Sequence, residues 1–276
     1  MTEKNKKQNR INFKFILFLA LVILLGGLYV EAKILSIKRL KIQKVTLSDE
    51  KISPSFNKTK ILVFSDVRGD VDQLDKVVEN VSSNKPDFIV FLGNLYGDDL
   101  EEQDFITKKL EDMDAPLGKY AILSKEDYQQ NLEQTKESLS KAEFRLQDTN
   151  LISVFNKTSD PINFLFVDYD GAGVSSVDEV ISRIQEDQFV IGFSHNAKQI
   201  EQDNKGVPTL VSSKHQYSKV NVPYLRQLIY EDAYIKNYEK INDVHLYLTT
   251  GISTSDPKFR ILSNPDILLI TLKSSQ

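Results

Sequence analysis

A strand, a helix and a second strand follow one another between residues 60 and 94, and this unit constrains the fold most. The runs KILVF at residues 60–64 and FIVF at residues 88–91 are short and apolar, as buried strands are. Between them, residues 70–82 have helical spacing, with an apolar face formed by Val71, Leu74, Val77, Val78 and Val81. Because a helix connects the two strands, we expect them to run parallel in one sheet.

The rest of the chain continues in a mixed α/β pattern. A helix is predicted at residues 105–113, a strand at 118–123 and one long, polar, solvent-facing helix at 126–147. Six further strands are predicted, at residues 151–155, 162–167, 189–193, 209–212, 244–248 and 267–272. Strands outnumber helices in this half, which favours an α/β sandwich over a doubly wound sheet, and residues 58–276 are predicted to form one domain.

The N-terminal part of the chain has the composition of a membrane anchor. A short basic tail, residues 1–10, precedes residues 11–31, where Lys14 is the only basic residue in an apolar run long enough to cross a bilayer. No A-x-A-like site follows, so we predict an uncleaved signal anchor rather than a cleaved signal peptide. Residues 32–57 are predicted to be a juxtamembrane linker that contains an edge strand at 35–47. The expected topology is single-pass, with a cytoplasmic tail and an extracytoplasmic domain.

Composition excludes several classes of function. The formal net charge is −4, so nucleic acid is not an expected partner. The chain contains no cysteine, which excludes disulfides, zinc–thiolate sites and a cysteine nucleophile. The 41% hydrophobic content is sufficient for a large core.

Polar motifs follow three successive apolar strands: FSDVRGD, FLGNLYGDD and AILSKEDY. Together with FVIGFSHNAKQI, TLVSSKHQYSKVNVPYL and the closing segment HLYLTTGISTSDPKFRILSNPDILLITLK, they resemble the calcineurin-like metallophosphoesterase family, in particular its membrane-associated bacterial branch. The resemblance covers residues 35–273. It implies the α/β fold of that family, a sandwich of two mixed β-sheets flanked by helices, here preceded by one N-terminal transmembrane helix.

The resemblance also implies where a two-metal phosphoesterase site would lie. In the family, Asp, His, Asn and Gly-His-x-His residues hold two divalent ions that activate a water molecule. Asp66 and His195 match metal-binding positions of the family and keep its residue type. The other matching positions carry different residues, so the predicted degenerate site also contains Arg68, Asn94, Lys125, Glu126, Lys214 and Gln216.

The replacements favour loss of the metals. Arg68, Lys125 and Lys214 bring positive charge to a place where dications would sit, and a guanidinium has no lone pair for a metal. We therefore predict no metal, no cofactor and no catalytic residue, and a pseudo-phosphoesterase that regulates, scaffolds or senses at the bacterial cell envelope.

Three interpretations of the altered site stay open. In the first interpretation, Asp66 and His195 are relics of the fold without a chemical role. In the second, Arg68, Lys125 and Lys214 bind a phosphate-containing ligand, since such side chains suit anions. In the third, a residual phosphoesterase works with one metal or with altered chemistry. The expected partners are the membrane, through the N-terminal helix, and an envelope protein, for which the polar helix at 126–147 is the first candidate surface.

Overall fold

Two mixed six-stranded sheets pack face to face, and helices cover their outer faces. The computed structural model describes residues 13–97, 100–169, 177–199, 206–214, 218–222, 224–229, 236–241, 243–254 and 258–275. A buried apolar cluster lies between the sheets, with Phe88, Tyr120, Phe164 and Phe193 among its aromatic members. Two further clusters lie between each sheet and its helices. The predicted fold class, two mixed sheets flanked by helices after an apolar N-terminal helix, is thereby confirmed.

The first sheet contains the β-α-β unit from which the fold was predicted. Its strands, in spatial order, are β1 (Lys41–Asp49), β12 (Asp266–Ser274), β2 (Lys60–Phe64), β3 (Phe88–Phe91), β4 (Gly118–Ala121) and β5 (Phe144–Leu146). The last four strands are parallel, as expected from the connecting helices, whereas β12 is antiparallel to β2 and parallel to β1. The first residue of β1 therefore lies at the same end of the sheet as the last residue of β2.

The second sheet is formed by the following half of the chain. Its strands, in spatial order, are β10 (Tyr238–Ile241), β11 (Val244–Thr249), β9 (Thr209–Ser213), β8 (Val190–Asn196), β7 (Ile162–Val167) and β6 (Asn150–Val154). The four central strands are parallel, and the two edge strands are antiparallel to their neighbours.

Helices cover the outer faces and form the N-terminal segment. They are α1 (Phe13–Val30), α2 (Ser36–Lys38), α3 (Val71–Asn84), α4 (Gln103–Glu111), α5 (Lys125–Gln129), α6 (Leu132–Lys141), α7 (Val177–Ile181) and α8 (Leu225–Ile229). The helix that carried the apolar pattern, α3, begins where the Asp70 side chain accepts a hydrogen bond from the Gln73 amide. It ends at Lys85, which adopts the left-handed conformation with φ 49°.

The prediction of one long helix at residues 126–147 is wrong. The chain forms two short helices there, α5 and α6, and then turns at Glu143, whose φ is 59°, into the strand β5. Phe144 is buried and pairs with Lys119 of β4, so tertiary burial outweighs the helical propensity of the surrounding polar residues. The helix α6 also buries Thr135, Ser138 and Leu139 and is not solvated on every face.

The edge strand begins later than the predicted residue 35. Helical structure continues through wider turns at Glu31–Leu35 and through α2, and only at Lys41 does β1 begin. The strand then pairs with β12 along all its residues, and Phe56 beyond it is fully buried. Residues 41–49 therefore belong to the sheet, and the chain up to Phe56 is part of the folded domain.

The N-terminal helical segment is long and apolar enough to cross a membrane. The continuous helical stretch Phe13–Lys38 contains an 18-residue window with a mean hydropathy of 2.5, and the side chains of α1 are exposed. This finding rests on length and composition, which a signal sequence would share. The tail at residues 1–10 lies outside the described residues.

Candidate functional site

The loops that follow the parallel strands meet at one edge of the two sheets. The Asp66 amide donates to the Gly93 carbonyl (3.0 Å), which joins the loop after β2 to the loop after β3. On its other side, the Ser65 and Asp66 carbonyls accept hydrogen bonds from Ile252 and Ser253, in the loop after β11 (both 3.0 Å). The carboxyl ends of parallel strands are the usual place for a ligand site in such sheets.

Asp66 lies at the centre of this edge, fully buried. Its Oδ2 accepts a hydrogen bond from the Ser213 hydroxyl (2.7 Å), and its Oδ1 accepts one from the Asn94 amide group (3.1 Å). The Arg68 Nε lies 3.8 Å from Oδ1. Both oxygens of this buried carboxylate thus interact with protein donors, which compensates its charge.

The first two motifs retain an unusual backbone. Asp66, Arg68 and Asn94 all have left-handed φ values, of 56°, 48° and 68°. Asp and Asn tolerate this region better than Arg does. Non-glycine residues held there are concentrated at functional sites. The backbone of a ligand-binding loop is therefore present, although two of these three side chains differ from the family motif.

Asn94, at the position of the bridging aspartate, is almost completely buried. Because its amide nitrogen donates to Asp66, its Oδ1 points elsewhere, and no hydrogen-bond partner for that oxygen is found among the described residues. A neutral amide in this orientation offers one oxygen, where the family's carboxylate would offer two charged ones.

The third motif stabilises the neighbouring loop through Asp127. This buried carboxylate accepts hydrogen bonds at Oδ2 from the amides of Asn94 (2.6 Å) and Ser124 (2.7 Å), and at Oδ1 from the Leu95 amide (3.0 Å). Ser124 caps α5 and also donates its hydroxyl to Asp127 (2.8 Å). Gly93 must lack a side chain here, since an added Cβ would lie 2.6 Å from the Ser124 nitrogen.

Two other third-motif residues lie in the first turn of α5. Lys125 is exposed and Glu126 is partly exposed. Neither side chain forms a hydrogen bond or ion pair among those found in the described part of the chain. They occupy the positions of the family's metal-binding Asn and its His.

His195, at the end of β8, is oriented by the backbone. Its Nδ1 lies 2.7 Å from the Leu92 carbonyl oxygen. A carbonyl can only accept, so Nδ1 carries the hydrogen, and in the neutral ring the lone pair is then on Nε2. The imidazole is therefore held in the tautomer that presents Nε2 as a ligand or acceptor.

Lys214 follows β9 and is buried. Its ammonium group donates to the Asn237 Oδ1 (2.5 Å). Burial raises the pKa of the Asp266 carboxyl above its usual value, and the charge of Lys214 is among the interactions that oppose this shift. Gln216, like the neighbouring His215, lies outside the described residues. The three predicted cations thus have different surroundings: Arg68 contacts Asp66, Lys214 contacts Asn237, and Lys125 is exposed.

The donor set of the described residues does not fit a binuclear metal centre. No group of three or more His, Asp or Glu side chains in this part of the chain is placed so that it could hold a metal ion. Asp66 already interacts with protein donors, and the neighbouring positions carry an amide, a guanidinium and an ammonium group.

Sequence reasoning missed two residues in the loop after β11. Gly251 has φ 73°, and a Cβ there would lie 2.7 Å from the Asp66 Cβ, so the loop can approach Asp66 only with glycine. The second is Arg260, which is fully buried. The Thr-Gly pair after an apolar strand is a turn signal that could have pointed to Gly251.

Arg260 binds the carbonyl groups of that same loop. Its Nη2 donates to the carbonyls of Thr250 (2.9 Å) and Ser253 (2.5 Å), and its Nε donates to the Thr254 hydroxyl (2.9 Å). Burial lowers the pKa of Arg260 to about 10, which leaves it charged at neutral pH. No local sequence pattern distinguishes this arginine from an exposed one.

Asp168 is a second buried acid near the edge, directly after β7. Its Oδ1 accepts a hydrogen bond from the Leu123 amide (2.7 Å), and its Oδ2 accepts one from the Tyr128 hydroxyl. Burial raises the pKa of Asp168 above its usual value, although these hydrogen bonds oppose the shift. It links the second sheet to the third motif.

Comparison with known proteins finds metallophosphoesterases as relatives. Residues 55–145 match the family model described as "Metallophosphoesterase, calcineurin superfamily". The chain is 27% identical over 255 residues to an "Uncharacterized metallophosphoesterase" of Aquifex aeolicus (strain VF5), covering 85% of this chain and 92% of that protein. It is 24% identical over 284 residues to the "Uncharacterized metallophosphoesterase YkuE" of Bacillus subtilis (strain 168), covering 98% and 99%.

Solved structures are also similar. The crystal structure of TT1561 of Thermus thermophilus matches with a TM-score of 0.46 and 12% identity, over 71% of this chain and 91% of that one. The family model and the two relatives agree with the motifs that carried the resemblance in the sequence. Residues 55–145 are thus similar to the calcineurin-like metallophosphoesterase superfamily, and the two relatives extend the similarity over most of the chain.

Proposed function

We propose that this protein is a membrane-anchored, metallophosphoesterase-like protein without hydrolase activity, which regulates, scaffolds or senses at the cell envelope. The observation that carries the proposal is the environment of Asp66. Its carboxylate accepts hydrogen bonds from Asn94 and Ser213 and pairs with Arg68. These donors interact with the carboxylate oxygens that a metal ion would otherwise bind. The charge of Asp66 is thereby balanced without a metal.

Charge at the edge of the sheets supports the same proposal. A second ligand position carries Arg68, whose guanidinium lies 3.8 Å from the Asp66 Oδ1. A dication placed beside Asp66 would meet this positive charge at short range, and repulsion of that kind is strong where water is excluded. The bridging position, Asn94, offers no negative charge to offset it.

The anchor supports a location in the cell membrane. The exposed apolar helix α1 is near the N-terminus, and basic residues both precede and follow it. With the short tail in the cytoplasm, the folded domain would lie outside the cytoplasm. The candidate site would then lie near the bilayer, because the end of β1 that follows the anchor is at the same end of the sheet as Asp66.

Hydrolysis is the direct test of the missing activity. Purified full chain in detergent micelles should release no aryl alcohol from a bis-aryl phosphodiester in the presence of Mn²⁺, beyond the rate of the Asp66→Ala and His195→Ala variants. Turnover by the wild-type chain that both substitutions abolish would overturn the proposal and favour a residual phosphoesterase.

A second candidate function is anion binding, favoured by one feature of Arg68. Its Nε is buried, and no acceptor within hydrogen-bond distance is found among the described residues. A phosphate oxygen would supply that acceptor. Inorganic phosphate should then raise the thermal midpoint of the wild-type chain, and the response should be lost in Arg68→Gln but kept in the control Lys136→Ala. An equal response in both variants would rule out this site.

A further inference from the structure

The short helix α8 exposes a large apolar surface. Tyr224, immediately before it, is 82% exposed, and Leu228 within it is 75% exposed. Leu225 and Ile229 are each exposed by close to half. Contiguous exposed apolar side chains of this size in a folded domain mark an interaction surface.

The chain that leads to α8 is fixed to the loop before β12. Val220 forms a parallel bridge with Ile261, the Ile261 amide donates to the Lys219 carbonyl (2.7 Å), and the Asn221 amide donates to the Ile261 carbonyl (2.9 Å). Asn221 also donates its side-chain amide to the Leu262 carbonyl (3.1 Å). Tyr224 is three residues further on, so its Cα lies within roughly 10 Å of that of Asn221.

That same loop contacts the base of the anchor. The Arg260 amide donates to the Ala32 carbonyl (2.9 Å), two residues after α1 ends. The ring of Phe259 lies near two cations, with the Lys33 Nζ 5.9 Å and the Lys219 Nζ 5.3 Å from its centroid. These contacts hold the start of the α8 segment at the level of residues 32–33.

This level is where a bilayer surface would be. Eighteen helical residues, the length of α1, span about 27 Å, which is close to the hydrocarbon thickness of about 30 Å. Ala32 and the loop bound to it then lie at the interface between acyl chains and headgroups. Ile34, Leu35 and Leu262 add exposed apolar side chains at the same level.

We propose that Tyr224 and α8 form a second membrane contact, which lies in the surface of the bilayer that the anchor crosses. The inference rests on the membrane location proposed above. Aliphatic side chains with a neighbouring tyrosine and lysines are the composition of an interfacial segment. Lys33 and Lys219 both lie beside Phe259 at the base of the anchor, where they can meet phospholipid phosphates. The contact would fix the orientation of the domain, and with it the distance of Asp66 from the membrane.

The bilayer is favoured over a second copy of the chain for a geometric reason. The contacts to Ala32 keep α8 near the membrane surface in every copy, whereas a stable dimer interface needs about 800 Å² from each partner. A five-residue helix supplies only part of such an area.

The chain has no tryptophan, so one introduced tryptophan is a unique reporter. The full chain carrying Leu228→Trp would be reconstituted in vesicles of phosphatidylcholine and phosphatidylglycerol with or without lipids brominated in the upper acyl chain. We expect a blue-shifted emission that these lipids quench by about half, because interfacial helices lie ~5–10 Å into the headgroup boundary. Tyr224→Trp serves as a second, independent reporter.

Two matched variants complete the experiment. Phe155→Trp is an exposed control, at the end of the domain near Ser55, and its emission should stay red-shifted and unquenched. Leu21→Trp, within α1, should be quenched by lipids brominated deep in the acyl chain and reports on the anchor itself.

The outcomes separate the two proposals. Quenching of Leu21→Trp without quenching of Leu228→Trp or Tyr224→Trp overturns the surface contact and leaves the anchor in place. A blue shift at residue 228 without quenching points to a protein partner or a second copy and also overturns it. An unquenched Leu21→Trp overturns the membrane location and, with it, this inference.

Discussion

The loop after β2 and the first turn of α5 each place a buried aspartate at the same edge of the sheets. Asp127 accepts from three backbone amides and one hydroxyl, and the Gly93 turn packs directly against it. Asp66 accepts from the side chains of Asn94 and Ser213 and pairs with Arg68. The Asp127 carboxylate binds backbone amides, whereas the charge of the Asp66 carboxylate is balanced by side chains.

The difference separates the features that position the loops from the side chains that meet within them. The left-handed turns, Gly93, Gly251 and Asp127 position the loops through backbone conformation, close approach and hydrogen bonds. Among the described residues, the side chains that meet within those loops include an amide and a guanidinium group beside Asp66. Under the proposed function, the backbone hydrogen bonds would keep the geometry of this edge while the side chains no longer hold metals.

The largest expected effect is that of Asp127→Ala. This change leaves the buried amides of Asn94, Leu95 and Ser124 without an acceptor, and these groups cannot rotate away. We expect a loss of about 3 kcal/mol or more in the free energy of unfolding, measured by chemical denaturation of the full chain in detergent micelles. Glu133→Ala, at a highly exposed side chain on α6, is the control and should cost less than about 0.5 kcal/mol. Equal effects would show that Asp127 does not hold the loops.

Gly251→Ala should have the next largest effect. The new Cβ would lie 2.7 Å from the Asp66 Cβ, at a φ of 73° that alanine disfavours. We expect a destabilisation of about 2 kcal/mol in the same assay, from the strained backbone and the displaced loop. Gly26→Ala has no atom within 4 Å of the added Cβ and should be neutral. A neutral Gly251→Ala would mean that the loop after β11 moves freely relative to Asp66.

Asp66→Ala should cost less than Asp127→Ala. It removes the acceptor of Asn94 and Ser213, but these side chains can rotate toward other partners, and Arg68 is 21% exposed. We expect a loss of about 1–2 kcal/mol. Added Mn²⁺ should not change the difference between variant and wild type. A difference that widens with Mn²⁺ would show that Asp66 is a metal ligand.

The smallest effect is a change in pH dependence at Asp168. Burial raises the pKa of this carboxyl, so the folded state holds its proton more tightly than the unfolded state does. The wild-type chain should lose stability relative to Asp168→Asn as the pH rises from 3.8 through the raised value. The free energy of unfolding against pH measures this, and parallel curves for the two chains would contradict it.

Much of the fold could be predicted from the spacing of apolar residues and from the order of strands and helices along the chain. The buried strands β2 and β3 and the helix α3 are where the pattern placed them, because apolar spacing is a local property of the sequence. The break between α5 and β5 could not be predicted. It depends on the burial of Phe144 beside β4, a contact between residues far apart in the chain.

The candidate site was predictable only by position. The motifs indicated that Asp66, Arg68, Asn94 and His195 follow strand ends that meet at one edge. They did not indicate that Asn94 donates to Asp66, that His195 binds the Leu92 carbonyl, or that Lys214 contacts Asn237. Such orientations depend on neighbours from both sheets. Gly251 and Arg260 lie in a segment whose local sequence resembles an ordinary surface loop.

Metal content tests the central claim most directly. Full chain purified from cells grown with manganese, then incubated with Mn²⁺ and separated from free ions, would be analysed by mass spectrometry for Mn, Fe and Zn. The account predicts metal well below one ion per chain, and the same residual amount in Asp66→Ala and His195→Ala. Stoichiometric metal in the wild-type chain that is lost in both variants would contradict it.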